Sequence, residues 1–183
     1  FEWGRLSNVN LGYGLLVDNY DTGSFGSQTL STKKAGFRTY LNLERVGVTG
    51  LWTGSNIVGG RLRYTINNSV MMGLPIDFGL NYIEDRDGVN ETIDNKAISR
   101  PKQSGYSVDV AVPLFGSALT LYTEYAQLQN NFNGKGLSSG LKGHLWDTVR
   151  YQASYRVLST YFVPGYFNNT YETTSFSFTT DAP

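Results

Sequence analysis

The amino-acid sequence predicts an all-β protein, an antiparallel up-and-down meander of at least eight strands closed into a barrel. Three observations lead to this fold class: the regular alternation of apolar and polar residues, the uneven lengths of the connections, and the placement of the aromatic residues. A chain of 183 residues has the length of one domain. We therefore interpret residues 1–183 as a single β-barrel domain, either whole or a piece of a larger barrel.

The alternation is clearest in two segments near the middle of the chain. Between Ile57 and Asn67, apolar residues and glycine occupy the even positions, while Arg61 and Arg63 are among the odd ones. Residues 74–85 repeat this pattern, with the apolar side chains again at even positions. A period of two indicates a β-strand with one apolar and one polar face.

The same reasoning predicts eight strands along the chain. They are residues 7–20, 36–44, 48–54, 57–67, 74–85, 105–114, 118–127 and 140–158. Residues 172–180 are a candidate for the start of a ninth strand, and no segment has the period of an amphipathic helix.

The connections and the aromatic residues give the meander two different ends. Long polar loops are predicted at 21–34, 84–103 and 128–139, and short links elsewhere, with 55–56 short where a long loop is expected. Long loops at one end and tight turns at the other are typical of transmembrane β-barrels. Four aromatic residues on the apolar face, at the long-loop ends of their strands, are predicted to form an interfacial girdle. They are Phe37, Trp52, Tyr82 and Tyr106.

Composition excludes several classes of function. A net charge of zero gives no global electrostatic argument for nucleic acid as a partner. The chain has no cysteine and a single histidine, His144, so neither a thiolate site nor a Cys/His metal cluster is expected. The acidic run 85–94 has the oxygen ligands that calcium prefers, but Gly88 stands at the fourth place and not the sixth, and such loops are mostly solvated. We expect no cofactor and no metal.

In its alternation, loop asymmetry and aromatic girdle, the segment 7–158 resembles bacterial outer-membrane β-barrel proteins of the porin type. The resemblance implies a location in a bacterial outer membrane and membrane lipids as partners. It also implies a passive role, as a channel for small hydrophilic solutes or as a structural envelope protein. This interpretation is compatible with a homo-oligomer.

The polar face carries the charges that would line the lumen of such a barrel. They are Arg38, Glu44, Arg61, Arg63, Asp77, Asp109, Glu124, Arg150 and Arg156. One interpretation is a charged lumen that steers solutes, and the other is a salt-bridged interior that fills a narrow barrel without a pore. Asp77 and Asp109 lie on neighbouring predicted strands, where a pair of carboxylates could in principle act as acid and base. The sequence shows no set of nucleophile, base and orienting residue, so the protein is not expected to be an enzyme.

A soluble ligand-binding barrel or sandwich is the alternative, because its strands also alternate between apolar and polar residues. Two features favour the membrane protein. The predicted strands are longer than the five or six residues usual in soluble proteins. Their apolar faces extend over about ten residues, which is close to what a tilted strand needs to cross a bilayer.

Overall fold

A computed structural model describes residues 1–22, 35–67, 73–93, 96–115, 118–130, 133–145 and 148–171, with the backbone alone for 89–93 and 96–100. The all-β class is confirmed, and no helix occurs among the described residues. In particular, none of them forms a helix long and apolar enough to cross a membrane. The strands are β1 Glu2–Gly4, β2 Val9–Leu11, β3 Val17–Tyr20, β4 Gly36–Asn42, β5 Val46–Thr53, β6 Ile57–Asn67, β7 Pro75–Asp85, β8 Val89–Ile93, β9 Lys96–Arg100, β10 Gln103–Pro113, β11 Thr120–Asn130, β12 Lys135–Leu145, β13 Val149–Leu158 and β14 Phe167–Asn168.

The main element is a nine-stranded antiparallel sheet with the strand order β1-β4-β5-β6-β7-β10-β11-β12-β13. The predicted meander is therefore confirmed. The connections from β4 to β5, from β10 to β11 and from β12 to β13 start and end at one end of the sheet, here called the tight-turn end. The connection at 86–102 lies at the other end, here called the long-loop end, and contains the hairpin of β8 and β9. The described sheet is open, because β1 and β13 form its two edges and do not pair with each other.

The segment 7–20, predicted as one strand of the barrel, is instead two short strands. β2 and β3 form a separate three-stranded sheet with β14. The chain turns between them at Gly12 and Gly14, whose φ angles are 75° and 86°. Such left-handed conformations interrupt an extended strand, and glycine adopts them without steric cost. The alternation in this segment therefore reflects how the small sheet packs, and the segment does not form a strand of the large sheet.

The structure also differs from the predictions at two places between residues 84 and 158. Residues 128–139 were expected to be a loop, but they belong largely to β11 and β12. The single long strand predicted over 140–158 is a hairpin of β12 and β13. Gly136 lies within β12, and the Phe162 ring covers it. A Cβ at this position would come within 2.7 Å of Cε1 of that ring. Glycine here serves close packing and not a turn. The candidate ninth strand, 172–180, lies outside the described residues.

The hydrophobic core joins the small sheet to one face of the large one. We call residues 6–22 and 162–171 the plug, and the face on which they pack the inner face. Core residues of the plug are Leu6, Val9, Leu11, Leu15, Leu16, Val17, Tyr20, Phe162, Tyr166, Phe167 and Tyr171, and those of the large sheet are Leu51, Ile57, Ile83, Ala126 and Leu128. The large-sheet positions lie near the long-loop end, so the plug occupies that part of the inner face.

Two glycines of the large sheet permit this close packing. A Cβ at Gly36 would lie 2.6 Å from Leu6 Cδ1, and one at Gly105 would lie 2.7 Å from Leu16 Cδ1. Real Cβ atoms do not approach other carbons so closely, so any larger residue would push the plug away from the sheet. Asp21 and Thr22, which were expected in the polar loop 21–34, are buried at the end of the plug. Residues 23–34 lie outside the described part.

The opposite face, here called the outer face, is apolar and exposed. One row of directly paired residues crosses β4, β5, β6, β7, β10, β11, β12 and β13. Its members are Leu41, Val48, Leu62, Leu80, Val108, Tyr125, Leu137 and Val157. All but Tyr125 are between 41% and 55% exposed. Soluble monomers rarely expose an apolar surface that extends across a whole sheet.

We predict that Leu16→Ala lowers the free energy of unfolding by about 2–5 kcal/mol, because Leu16 is fully buried between plug and sheet and alanine leaves a cavity. The measurement is equilibrium unfolding in urea. The matched control is Leu43→Ala in the tight turn, where the side chain is 58% exposed and the expected loss is below about 0.5 kcal/mol. Equal losses for both variants would contradict the packing of the plug on the inner face.

Candidate functional site on the inner face

Polar residues of four neighbouring strands meet on the inner face beside the plug. Strand register puts Arg61, Asn81 and Ser107 in one row across β6, β7 and β10. The next row contains Asp109 and Glu124, which are directly paired on β10 and β11. We call these five residues the inner-face network. Asn81, Ser107, Asp109 and Glu124 are all buried.

The strongest interaction of the inner-face network is the ion pair between Arg61 and Asp109. Arg61 Nη1 and Nη2 donate to the two oxygens of Asp109 at 2.6 and 2.8 Å. This two-point geometry is favourable for an arginine and a carboxylate. The pair crosses over β7 at Gly79, where a Cβ would collide with the Asp109 carboxylate. A glycine at position 79 is therefore required for β6 and β10 to interact across β7.

Asn81 and Ser107 extend the ion pair toward β11. Asn81 accepts a hydrogen bond from Arg61 Nη1 at 2.9 Å through its Oδ1. Its Nδ2 donates to Asp109 Oδ2 and to Ser107 Oγ, both at 2.9 Å. Ser107 Oγ donates in turn to Glu124 Oε1 at 2.8 Å. The result is an unbroken chain of hydrogen bonds from Arg61 to Glu124, and each polar group in it is satisfied.

Glu124 connects the inner-face network to the plug. Its Oε2 accepts hydrogen bonds from the backbone N–H groups of Tyr13 and Leu15, at 3.1 and 3.0 Å. Gly12 lies against the same carboxylate, and a Cβ there would be 2.5 Å from Glu124 Oε1 and 2.9 Å from Asn81 Nδ2. The plug backbone therefore packs directly on the polar groups of the sheet, and Glu124 accepts hydrogen bonds from two of its N–H groups.

An aromatic contact continues from this point toward the tight-turn end. The rings of Tyr13 and Tyr122 stack with centroids 4.2 Å apart and planes 9° apart. Lys142 Nζ lies 4.1 Å from the centroid of the Tyr13 ring, in the geometry of a cation–π interaction. Because Tyr122 covers one face of that ring, Lys142 must lie over the other. Burial, followed by the charge of Asp109, raises the pKa of the Tyr13 hydroxyl, which stays protonated and neutral.

A polar cavity of about 200 Å³ lies beside the plug. Its lining residues are Asn10, Gly12, Tyr13, Gly14, Asp18, Asn19, Lys142 and Gln152. Asp18 packs between two glycines of the plug, since Cβ atoms at Gly14 and Gly165 would lie 3.2 and 3.3 Å from its side chain. Burial raises the pKa of the Asp18 carboxyl, and the charge of Arg156 acts in the opposite direction.

Asp85 provides a second anchor for the plug at the long-loop end. Its Oδ1 accepts hydrogen bonds from the backbone N–H groups of Asp87 and Gly88, at 3.3 and 2.9 Å. Its Oδ2 accepts one from the Tyr171 hydroxyl at 2.9 Å. The first residue of the acidic run 85–94 therefore has a structural role. Among the described residues, no three His, Cys, Asp or Glu side chains are grouped so as to hold a metal ion.

The structure brings only three of the predicted lumen charges into contact, namely Arg61, Asp109 and Glu124. Arg63 lies on the same face, and Asp77 accepts a 2.5 Å hydrogen bond from Thr65. Asp77 pairs with Ala111 in the register, so it does not lie opposite Asp109.

The remaining predicted charges lie at the margins of the sheet. Arg38 donates to Glu2 Oε2 at 3.0 and 2.5 Å. Glu44 was predicted within a strand, but β4 ends at Asn42 and Glu44 lies exposed in the tight turn. Arg150 and Arg156 are exposed on the edge strand β13.

The four girdle residues all lie on the outer face, as two directly paired couples. Phe37 pairs with Trp52 across β4 and β5, and Tyr82 pairs with Tyr106 across β7 and β10. The sequence prediction did not include Tyr13, Asn81 or Ser107 in the site. Asn81 and Ser107 carry a signal that was available, because they are neutral polar residues on the charged face of their strands. No signal in the sequence indicates Tyr13, since its position depends on the turn at Gly12.

Comparisons with models of protein families, with curated proteins and with solved structures find no match to this chain.

We predict that Glu124→Ala lowers the free energy of unfolding by at least about 2 kcal/mol, because two backbone donors at Tyr13 and Leu15 lose their acceptor. Hydrogen exchange at these two amides should accelerate more than exchange in the large sheet. The control is Glu84→Ala, which removes a partly exposed carboxylate 3.4 Å from Arg86 and should change stability by less than about 0.5 kcal/mol. Unchanged exchange at Tyr13 and Leu15 would show that Glu124 does not hold the plug.

Proposed function

We propose that this chain forms the wall and the internal plug of a transmembrane β-barrel in a bacterial outer membrane. In this role it acts as a porin-like passive channel for small hydrophilic solutes. The observation that carries the proposal is the exposed apolar row on the outer face, from Leu41 to Val157, which crosses eight strands without a charged residue. Lipid is the partner that such a surface fits, because it solvates apolar side chains that water does not.

Strand length supports the same proposal. Five strands, β6, β7, β10, β11 and β12, have 11 residues each. A membrane-spanning strand tilted at about 45° needs about 9–11 residues. The paired aromatics Phe37–Trp52 and Tyr82–Tyr106 lie on the outer face toward the long-loop end, where an interfacial girdle would lie.

Closure of the sheet is part of the proposal. In hydrocarbon, the free backbone groups of β1 and β13 would be left without hydrogen-bond partners, so both edges must be paired there. A barrel of about eight strands has an interior that side chains alone fill. Here the inner face carries a plug with its own three-stranded sheet. Under the proposal, the closed barrel must be wide enough to hold this plug, and both edge strands must be paired.

The polar inner face supports a channel in preference to a purely structural wall. Beyond the plug, the inner side of the sheet carries the polar side chains of Asp77, Lys142 and Gln152. A polar interior next to a cavity of about 200 Å³ allows water and small hydrophilic solutes to enter. The plug narrows this route, which restricts passage to small molecules.

We predict that the protein stays monodisperse only in detergent and that Leu80→Arg lowers its stability in micelles or bilayers by about 2–4 kcal/mol, since a charge at the bilayer midplane is costly. The control is Phe115→Arg, in the tight turn between β10 and β11, where the side chain is 72% exposed and lies outside the lipid under the proposal. A chain that is monodisperse in plain buffer, with Leu80→Arg tolerated as well as the control, would favour the soluble ligand-binding alternative.

Conductance tests the channel itself. We expect discrete current steps from the purified protein in a planar lipid bilayer, and a larger unit conductance from Tyr13→Ala, because this change removes the ring that contacts Tyr122 and Lys142 inside the barrel. Tyr161→Ala, which removes a tyrosine that is 56% exposed, should conduct like the wild type. Well-folded protein that inserts into the bilayer without any conductance would contradict the channel and leave a structural role.

A further inference from the structure

A second cavity, of about 370 Å³, lies at the tight-turn end of the inner face. Its lining residues are Thr120, Lys142, Gly143, His144, Arg150, Tyr151 and Gln152. Three of them carry basic side chains, and among the described residues that line the cavity none is acidic. Thr120 and Gln152 add a hydroxyl and an amide, which are neutral hydrogen-bond donors.

The strand register concentrates these basic groups in one place. His144 and Arg150 are directly paired across β12 and β13, and Lys142 lies two residues before His144, on the same face. Basic side chains directly opposite each other on neighbouring strands repel when both are charged, which destabilises the pair. An anion bound between them would remove this repulsion and make two or three charge-assisted hydrogen bonds.

Three carboxylates of the inner face form their hydrogen bonds with groups outside this cluster. Asp109 accepts hydrogen bonds from the two terminal nitrogens of Arg61. Glu124 accepts from Ser107 and from the plug backbone. Asp77 accepts from Thr65. Among the described residues that line the basic cavity, no carboxylate balances the three basic side chains.

We propose that this cavity is a binding site for a small oxyanion, a solute with a phosphate or carboxylate group, held by Lys142, His144 and Arg150. Lys142 and Gln152 also line the cavity beside the plug, so the two cavities adjoin through these side chains. An anion bound here lies on the polar route toward the plug. The role of the site in selecting solutes rests on the proposed channel, whereas the binding itself does not.

The single histidine of the chain makes the site measurable. We expect that inorganic phosphate, added to the detergent-solubilised protein at constant pH and ionic strength, shifts the ring resonances of His144 in a saturable manner. Arg150→Gln should weaken phosphate binding at least about fivefold, since a charge-assisted contact to the anion is lost. Arg150 is exposed on an edge strand, so this variant is expected to fold, and its circular dichroism checks this.

Two controls distinguish phosphate binding at a specific site from a general effect of salt on the protein's charges. Arg86→Gln removes an exposed arginine at the long-loop end and should bind phosphate like the wild type. Acetate at the same ionic strength distinguishes the two solute classes, because a carboxylate site binds acetate as well as phosphate and a phosphate site does not. A shift that does not saturate, that chloride reproduces, or that Arg150→Gln leaves unchanged would overturn the proposal. The phosphate titration does not require conductance. A negative titration would therefore overturn the anion site without contradicting the proposed channel.

Discussion

The position of the plug depends on the hydrogen bonds that Glu124 makes to the backbone of Tyr13 and Leu15. These bonds join two parts of the chain that are more than one hundred residues apart, and they do so at a buried carboxylate. A buried carboxylate is tolerated only where donors surround it. Ser107 supplies one donor from the sheet, and the plug backbone supplies two. The large sheet and the plug therefore satisfy each other's polar groups, in addition to sharing an apolar core.

Glycine makes this arrangement possible at two positions where another residue would not fit. Gly79 leaves the space through which Arg61 reaches Asp109, and Gly12 lets the plug backbone lie against Glu124. Gly12 also has a positive φ angle, so its conformation and its contacts both favour glycine. The inner-face network is thus assembled from four strands of the sheet, and the plug packs on it.

The two faces of the sheet differ in how their side chains are satisfied. The inner face buries its polar groups in a network and covers its apolar positions with the plug. The outer face leaves its apolar row exposed, and β1 and β13 leave their edges open. Water solvates the apolar row unfavourably, and a free strand edge is a template for pairing with another strand. The apolar row agrees with the proposal of a lipid-facing wall, which in addition requires that both edges be paired. The basic cavity at the tight-turn end is the proposed binding place for a solute.

The sequence by itself located β4, β5, β6, β7, β10 and β11 and determined their two faces, because the period of two is a local property that backbone geometry imposes on neighbouring residues. Alternation therefore located β6, β7 and β10 well, and it put Arg61, Asp109 and Glu124 on one face. Only the tertiary structure decided that residues 7–20 turn at Gly12 into a plug, that Gly79 opens a path between two strands, and that Asn81 and Ser107 complete the network. These features depend on contacts between distant parts of the chain, and alternation carries no information about such contacts. The sequence also placed Glu44 in a strand, whereas a local hydrogen bond from Leu43 N–H to the carbonyl of Val46 closes a turn there.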